Sequence, residues 1–177
     1  MPVRRKHIRS LTNRLLERFG VDSAPVPVEQ IAEALGATVR REAAEDELSG
    51  FLVRDRARKT AVIGVNATHH PNRQNFTVGH ELGHFLLHEG DDVHVDRRFQ
   101  VKLRNQVSSE GTDEEEKEAN LFAAEIIMPQ RLVEEDVAEI DAIDLDDEQV
   151  IADLAKLYGV STQAMTFRLS YLGYIQL

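Results

Sequence analysis

Residues 71–89 read PNRQNFTVGHELGHFLLHE. Proline suits the first helical position and Gly90 suits the exit, so the stretch predicts one long helix over 71–89. His80 and His84 stand four residues apart, which puts both imidazoles on one helical face, able to point at a single ion. Glu81 projects ~100° further round, off the ion but within reach of a water beside it. Two ligands and a base is the division of labour of HExxH metal sites. That pattern recurs by chance, and an exposed helix carrying two His and a Glu is the alternative. The apolar flanks Phe76, Val78, Leu82, Phe85, Leu86 and Leu87 argue for a core-packed helix whose polar face needs partners. Gly83, mid-helix at a cost of roughly 1 kcal/mol against Ala, predicts the close approach of a second element.

Cysteine is absent, so a metal here must be held by His, Asp or Glu, as catalytic zinc often is. The metzincin spacing fails, because Leu87 and Gly90 stand where it needs Gly and His. His88 lies ~12 Å along the axis from His80, too far to share an ion with it easily, and reads as a helix-end residue. His94 stays open as a further ligand.

A third ligand is expected from a separate element. The Glu-rich helix predicted over 113–128 and stopped by Pro129 is the best source, and Thr112 with Glu115 forms a capping box at its start. Ala119, Asn120, Ala123, Ile126 and Ile127 fall within ~80° of Glu116 on that helix, whereas Glu114, Glu118 and Glu125 face the opposite side. Glu116 is therefore the acid that points inward, with a surface charge at the helix rim as the alternative. Glu118→Ala is expected to leave metal binding alone. Ala119 and Ala123 let the two helices come close, and Asn120 is placed to hydrogen-bond a liganding His.

Around these helices the chain predicts an α+β fold. Residues 3–19 read as an amphipathic helix with Ile8, Leu11, Leu15 and Phe19 on one side, and a second helix covers 28–35. Strand-like runs at 37–42, 50–54 and 60–66 predict a small antiparallel three-stranded sheet. The apolar run 61–66 is read as an exposed sheet edge beside the cleft, where an extended peptide adds as a strand. The polar stretch 91–111 is read as a loop that could act as a lid. Helices at about 130–138, 146–158 and 161–172 finish the chain, the last two as an αα-hairpin.

The net charge of −10 makes the chain a poor general binder of nucleic acid. Arg4, Arg5, Lys6, Arg9, Arg14 and Arg18 are the exception. They read first as a solvated helix face, with single-stranded nucleic acid as an inducing signal, or an acidic partner, as the alternative. No apolar run is long enough to span a membrane and no apolar stretch follows the basic N-terminus, so a cytoplasmic protein without membrane contact is expected.

The run Arg73 to His84 followed by Leu87-His88, together with Glu116 to Pro129, resembles the core of the ImmA/IrrE-type metallopeptidases. Pro27 to Ala32, Leu48-Ser49-Gly50 and the C-terminal run from Val160 to Tyr174 resemble the same family, so the likeness covers roughly residues 25–175. It implies a zincin-like, gluzincin-type core over 25–140, a basic N-terminal helix over 1–24 and a helical hairpin over 141–177 packed on that core, as a single domain. It also implies a Zn2+ endopeptidase that cuts a helix-turn-helix repressor and so switches on mobile-element, defence or stress genes. His80, His84 and Glu116 would be the ligands and Glu81 the base. No oxyanion-stabilising residue stands out among Tyr158, Tyr171 and His94, and the chain is too short for the extra DNA-binding or sensor domain of some relatives.

Two other functions remain. Ala155, Gly159 and Ser161 fit a helix-turn-helix, so a DNA-binding regulator is one, although the second helix carries a single basic residue, Arg168. A metal-bearing scaffold that binds a repressor without cutting it is the other.

Overall fold

The computed structural model describes residues 2–97, 113–140 and 147–176. In chain order the elements are α1 (Arg5–Arg18), α2 (Val28–Ala34), β1 (Ala37–Glu42), β2 (Leu48–Asp55), β3 (Thr60–Asn66), α3 (Pro71–Leu87), β4 (Val93–Arg97), α4 (Asp113–Ile127), α5 (Gln130–Glu139), α6 (Glu148–Tyr158) and α7 (Thr162–Leu172). The fold is α+β, and the long predicted helix is α3. Pro71 takes its first position, and the His70 ring accepts the Asn72 amide in place of an oxygen cap.

The sheet corrects the sequence reading in three ways. It has four strands, in the order β1-β3-β2-β4, not three. It is mixed rather than antiparallel, because β1 runs parallel to β3 while β2 is antiparallel to both β3 and β4. Finally, β3 is central and paired on both sides, which removes residues 61–66 as a free edge for peptide addition. The physical reason lies in the link between β1 and β2. Short links usually join neighbouring strands, but this one crosses over the end of β3. Spanning two strand gaps needs only ~10 Å, which five residues reach easily. Asn66, the last residue of β3, holds the crossing in place. Its side-chain amide donates to the carbonyls of Ala44, Glu45 and Leu48, and its oxygen accepts from the Ala44 amide. The fourth strand, β4, forms within the stretch read as a lid. Residues 98–111 of that stretch, and Thr112 of the expected capping box, lie outside the described residues.

One sheet face carries Leu52 and Ile63, both fully buried, beneath α3. The other carries Val53 and Val62, each more than a third exposed. Helix α4 lies along α3, and Leu82, Phe122, Ala123, Ile126 and Ile127 are fully buried in the shared core.

On the face of α4 opposite Glu116, Glu114 is exposed but the other two acids are covered. Glu118 and Glu125 are 5% and 2% exposed. Helix α1 covers that side through Ile8, Thr12, Leu15 and Leu16. Arg4, just ahead of the helix, pairs with Glu118 at 2.6 Å, and Arg9 within it pairs with Glu125 at 3.3 Å. The acidic partner of part of the basic segment is thus within the same chain, while Arg5, Lys6, Arg14 and Arg18 stay exposed.

Helices α6 and α7 form a hairpin turned by Gly159 in the left-handed region (φ 64°) and capped by Ser161, whose hydroxyl accepts the Ala164 amide. Leu154, Tyr158, Met165 and Leu169 join the main core. Arg168 is buried there, with its guanidinium 2.8 Å from Glu125 and 2.9 Å from the Met128 carbonyl. Removing one partner would leave a charge stranded in the core, so Glu125→Ala is expected to lower the unfolding free energy by about 3–5 kcal/mol. Urea titration measures it, and a change below about 1 kcal/mol would show that the pair behaves like an exposed one.

Candidate metal centre

Three imidazoles and one carboxylate meet between α3, α4 and β4. Ligand atoms of His80, His84, His94 and Glu116 all lie within 4.8 Å of one another. The Nε2 atoms of His80 and His84 are 3.1 Å apart. Glu116 sets one carboxylate oxygen 3.5 Å from His80 Nε2 and the other 3.2 Å from His84 Nε2 and 3.5 Å from His94 Nε2. Donors that share one tetrahedral zinc at ~2.0–2.1 Å stand ~3.3 Å apart, so the spacing and the N/O chemistry both fit a bound transition-metal ion.

The backbone makes this convergence possible. A Cβ on Gly83 would stand 3.1 Å from the Ala119 Cα and 3.2 Å from the Phe122 Cβ. One on Gly79 would stand 3.3 Å from both the Cα and the Cβ of Ala123. The helices touch at their smallest residues, which brings Glu116 within reach of the histidines. On the sheet side, a Cβ on Gly50 would lie 2.9 Å from the Gly64 carbonyl oxygen and 3.3 Å from Glu81 Oε1. The nearest atom would be the Thr77 Cγ2 at 2.5 Å, so Gly50 lets β2 and α3 come close at this point.

Each helix histidine is held from behind. His80 Nδ1 donates to Asn120 Oδ1 at 3.1 Å, which leaves Nε2 for a metal. His84 Nδ1 lies 3.1 Å from His88 Nδ1, and His88 Nε2 lies 3.2 Å from Glu118 Oε2. Glu118 is itself fixed by the backbone amide and guanidinium of Arg4. His88 therefore stands one step behind the donors rather than among them, and a chain of contacts links α1 to His84. The Arg54 guanidinium donates to the His84 carbonyl at 2.8 Å and ties this end of α3 to the sheet.

Burial sets the electrostatics. The Glu81 carboxylate is fully buried, and neither oxygen has a hydrogen-bond partner among the described residues. Burial, with the nearby Asp96 and Glu116 charges, pushes it up to about 8 against the opposing pull of His80. For His80, burial favours the neutral ring, but the Glu116 hydrogen bond and the charges of Glu81 and Asp96 overcome it and raise the group to about 9. Burial and the charge on His80 push His84 down to about 3. Burial also opposes the charge on Glu116, but hydrogen bonds from His80 and His84 hold its carboxyl well below the usual range.

The structure therefore gathers His80, His84, Glu116 and Asn120 at one point with Glu81 alongside, and it adds His94 from β4. Of the three oxyanion candidates only His94 is here. Tyr158 is buried with its hydroxyl donating to Asp136, and Tyr171 accepts from Arg5. Asp96 was missed. It lies two residues after His94 on the same strand face, grouped with His80 and Glu81. Its signal was the alternation of His94 and Asp96 with Val93 and Val95 inside an otherwise polar stretch. The contact chain from His84 to Glu118 was missed because helix phase does not show what covers the far side of α4.

A helix bearing two histidines and a buried glutamate, facing a carboxylate from a second helix, has the donor arrangement of a metallopeptidase. Residues 32–170 match the model of the IrrE N-terminal-like domain, a peptidase family, and the chain belongs to this ImmA/IrrE family. Metallopeptidase ImmA of Bacillus subtilis (strain 168) is 27% identical over 127 residues, which cover 72% of this chain and 66% of that protein. A solved Mycobacterium tuberculosis transcriptional regulator shares the fold with a TM-score of 0.61 at 16% identity, over 93% of this chain and 46% of its own. The chain thus spans about two thirds of the curated relative and less than half of the solved one. Among the described residues no helix is long and apolar enough to cross a membrane.

Two outcomes are expected. Because His80 holds a proton at neutral pH in the metal-free chain, a metal must displace it, so affinity should rise with pH up to about 9 and level off above. Calorimetry in buffers of different ionisation enthalpy would register the released proton. Glu118→Ala, contrary to the expectation from helix phase, should weaken metal binding ~10–100-fold by freeing His88 and hence His84. Chelator competition measures this, and unchanged affinity would show that the contact chain does not orient the ligand.

Proposed function

We propose that the chain is a zinc-dependent endopeptidase with a zincin-like centre, in which His80, His84 and Glu116 hold the ion and Glu81 is the general base. The observation that carries this reading is the Glu81 carboxylate, fully buried beside the donor group with no hydrogen-bond partner among the described residues. A buried carboxyl group without a hydrogen-bond partner is not kept in such a place without a use. Bound there, zinc would supply a Lewis acid that polarises the scissile carbonyl and lowers the pKa of a water to roughly 7. Glu81 takes the proton from the attacking water as its oxygen bonds to the carbonyl carbon. It then passes that proton to the departing amine as the C–N bond breaks. Asn120 fixes the tautomer of His80, while His88 and Glu118 orient His84.

The substrate we propose is a helix-turn-helix repressor in the cytoplasm, cut once in an exposed segment outside its DNA-binding fold, so that mobile-element, defence or stress genes are switched on. Membership of the ImmA/IrrE family supports this class of target. The exposed Arg5, Lys6, Arg14 and Arg18 offer a surface on which single-stranded nucleic acid could act as the inducer. Burial of Arg168 argues against the alternative of a DNA-binding regulator, because α7 then has no basic side chain free for phosphate.

The decisive experiment incubates the zinc-loaded chain with the repressor encoded nearest to its gene, with and without single-stranded DNA, and locates new termini by mass spectrometry. One discrete cut is expected. Glu81→Gln should keep zinc and lose the cut, whereas His80→Ala should lose the zinc. Full activity in Glu81→Gln would remove the general base, and tight binding without any cut would favour a repressor-binding scaffold.

A further inference from the structure

The donor group holds one member more than a hydrolytic site needs. Catalytic zinc takes three protein ligands and keeps a fourth position for water or substrate, whereas four protein ligands close the shell. Here His80 and His84 come from α3, Glu116 from α4 and His94 from β4. We infer that His94 is a fourth protein ligand, which closes the centre in the resting chain and must leave before water or a peptide carbonyl can reach the ion.

Strand register explains why His94 points there. It pairs with Leu52, and Asp96 pairs with Gly50. Leu52 is fully buried, and Gly50 faces Thr77 and Glu81, so both belong to the sheet face beneath α3. Alternation along β4 therefore turns His94 and Asp96 towards the metal site. The His94 side chain is 12% exposed, and its ring centroid is 4.1 Å from that of His84 at an interplanar angle of 34°. Two ligands thus sit on a helix pinned through Gly79 and Gly83, and a third sits on the helix that pins it. The fourth sits on a strand that, among the described residues, pairs with β2 alone. Of the four, His94 is the one the fold can release without separating α3 from α4. The exchange would be a ligand substitution, one metal–nitrogen bond giving way to one metal–oxygen bond with no change of oxidation state.

The inference rests on the proposed zinc centre, and its test separates the two. X-ray absorption on the zinc-loaded wild type counts imidazole ligands without any variant, so misfolding cannot obscure it. Three imidazoles are expected in the wild type and two in His94→Ala and His94→Phe, with zinc affinity by chelator competition lower by roughly tenfold or more. In the cobalt-loaded forms, added azide should shift the visible spectrum of the variants at concentrations that leave the wild type unchanged. Two imidazoles in the wild type, or equal affinity and equal azide response in all forms, would overturn the role of His94 and leave the peptidase reading standing. A wild type that takes up no metal would overturn both.

Discussion

The approach of α3 to α4 across Gly79, Gly83, Ala119 and Ala123 is the contact on which the other features depend. Two helices bearing ordinary side chains pack with axes 8–10 Å apart. Small residues on both sides allow a closer approach, and a glutamate side chain from one helix can then reach imidazoles on the other. A glycine inside a helix weakens it, yet α3 carries two of them on the face that meets α4. Packing offsets that cost, since Leu82, Phe122, Ile126 and Ile127 are fully buried in the same seam. The centre and the hydrophobic core are therefore built on one seam between α3 and α4.

Behind the donors lies a second layer that uses the remaining faces of α4. Towards α3 it presents Glu116 and Asn120. Towards α1 and α7 it presents Glu118 and Glu125, each met by arginine. Glu118 stays ionised because its partner is close. Hydrogen bonds from Arg4 above all, against the opposing effect of burial, hold Glu118 down to about 2. The basic N-terminal helix consequently has two populations of cations. One is spent on α4 and, through His88, supports His84, while the other faces solvent.

The mixed sheet supplies the third side of the centre. Because β3 lies between β1 and β2, the outer edge of β2 is left for β4, and β4 brings His94 and Asp96 over α3. A three-stranded meander would have put the apolar 61–66 run at an edge and left these two residues in a loop. The inserted strand thus decides both where a peptide cannot add and which side chains line the candidate metal centre.

The sequence by itself determined the α3 helix, the facing of His80, Glu81 and His84, the inward phase of Glu116 and Asn120, and the need for a close neighbour at Gly83. These follow from helical period and residue size, which are local properties. The ends of most helices were legible for the same reason, through Pro71, Pro129, Gly159 and Ser161. Only the tertiary structure decided the strand order, the burial of Glu118, Glu125 and Arg168, the retreat of His88 behind His84, and the arrival of His94. A five-residue link can join neighbouring strands or cross a third, and nothing within it distinguishes the two until Asn66 captures its backbone. A charged helix face looks solvated until another helix covers it, and whether one does depends on residues a hundred positions away.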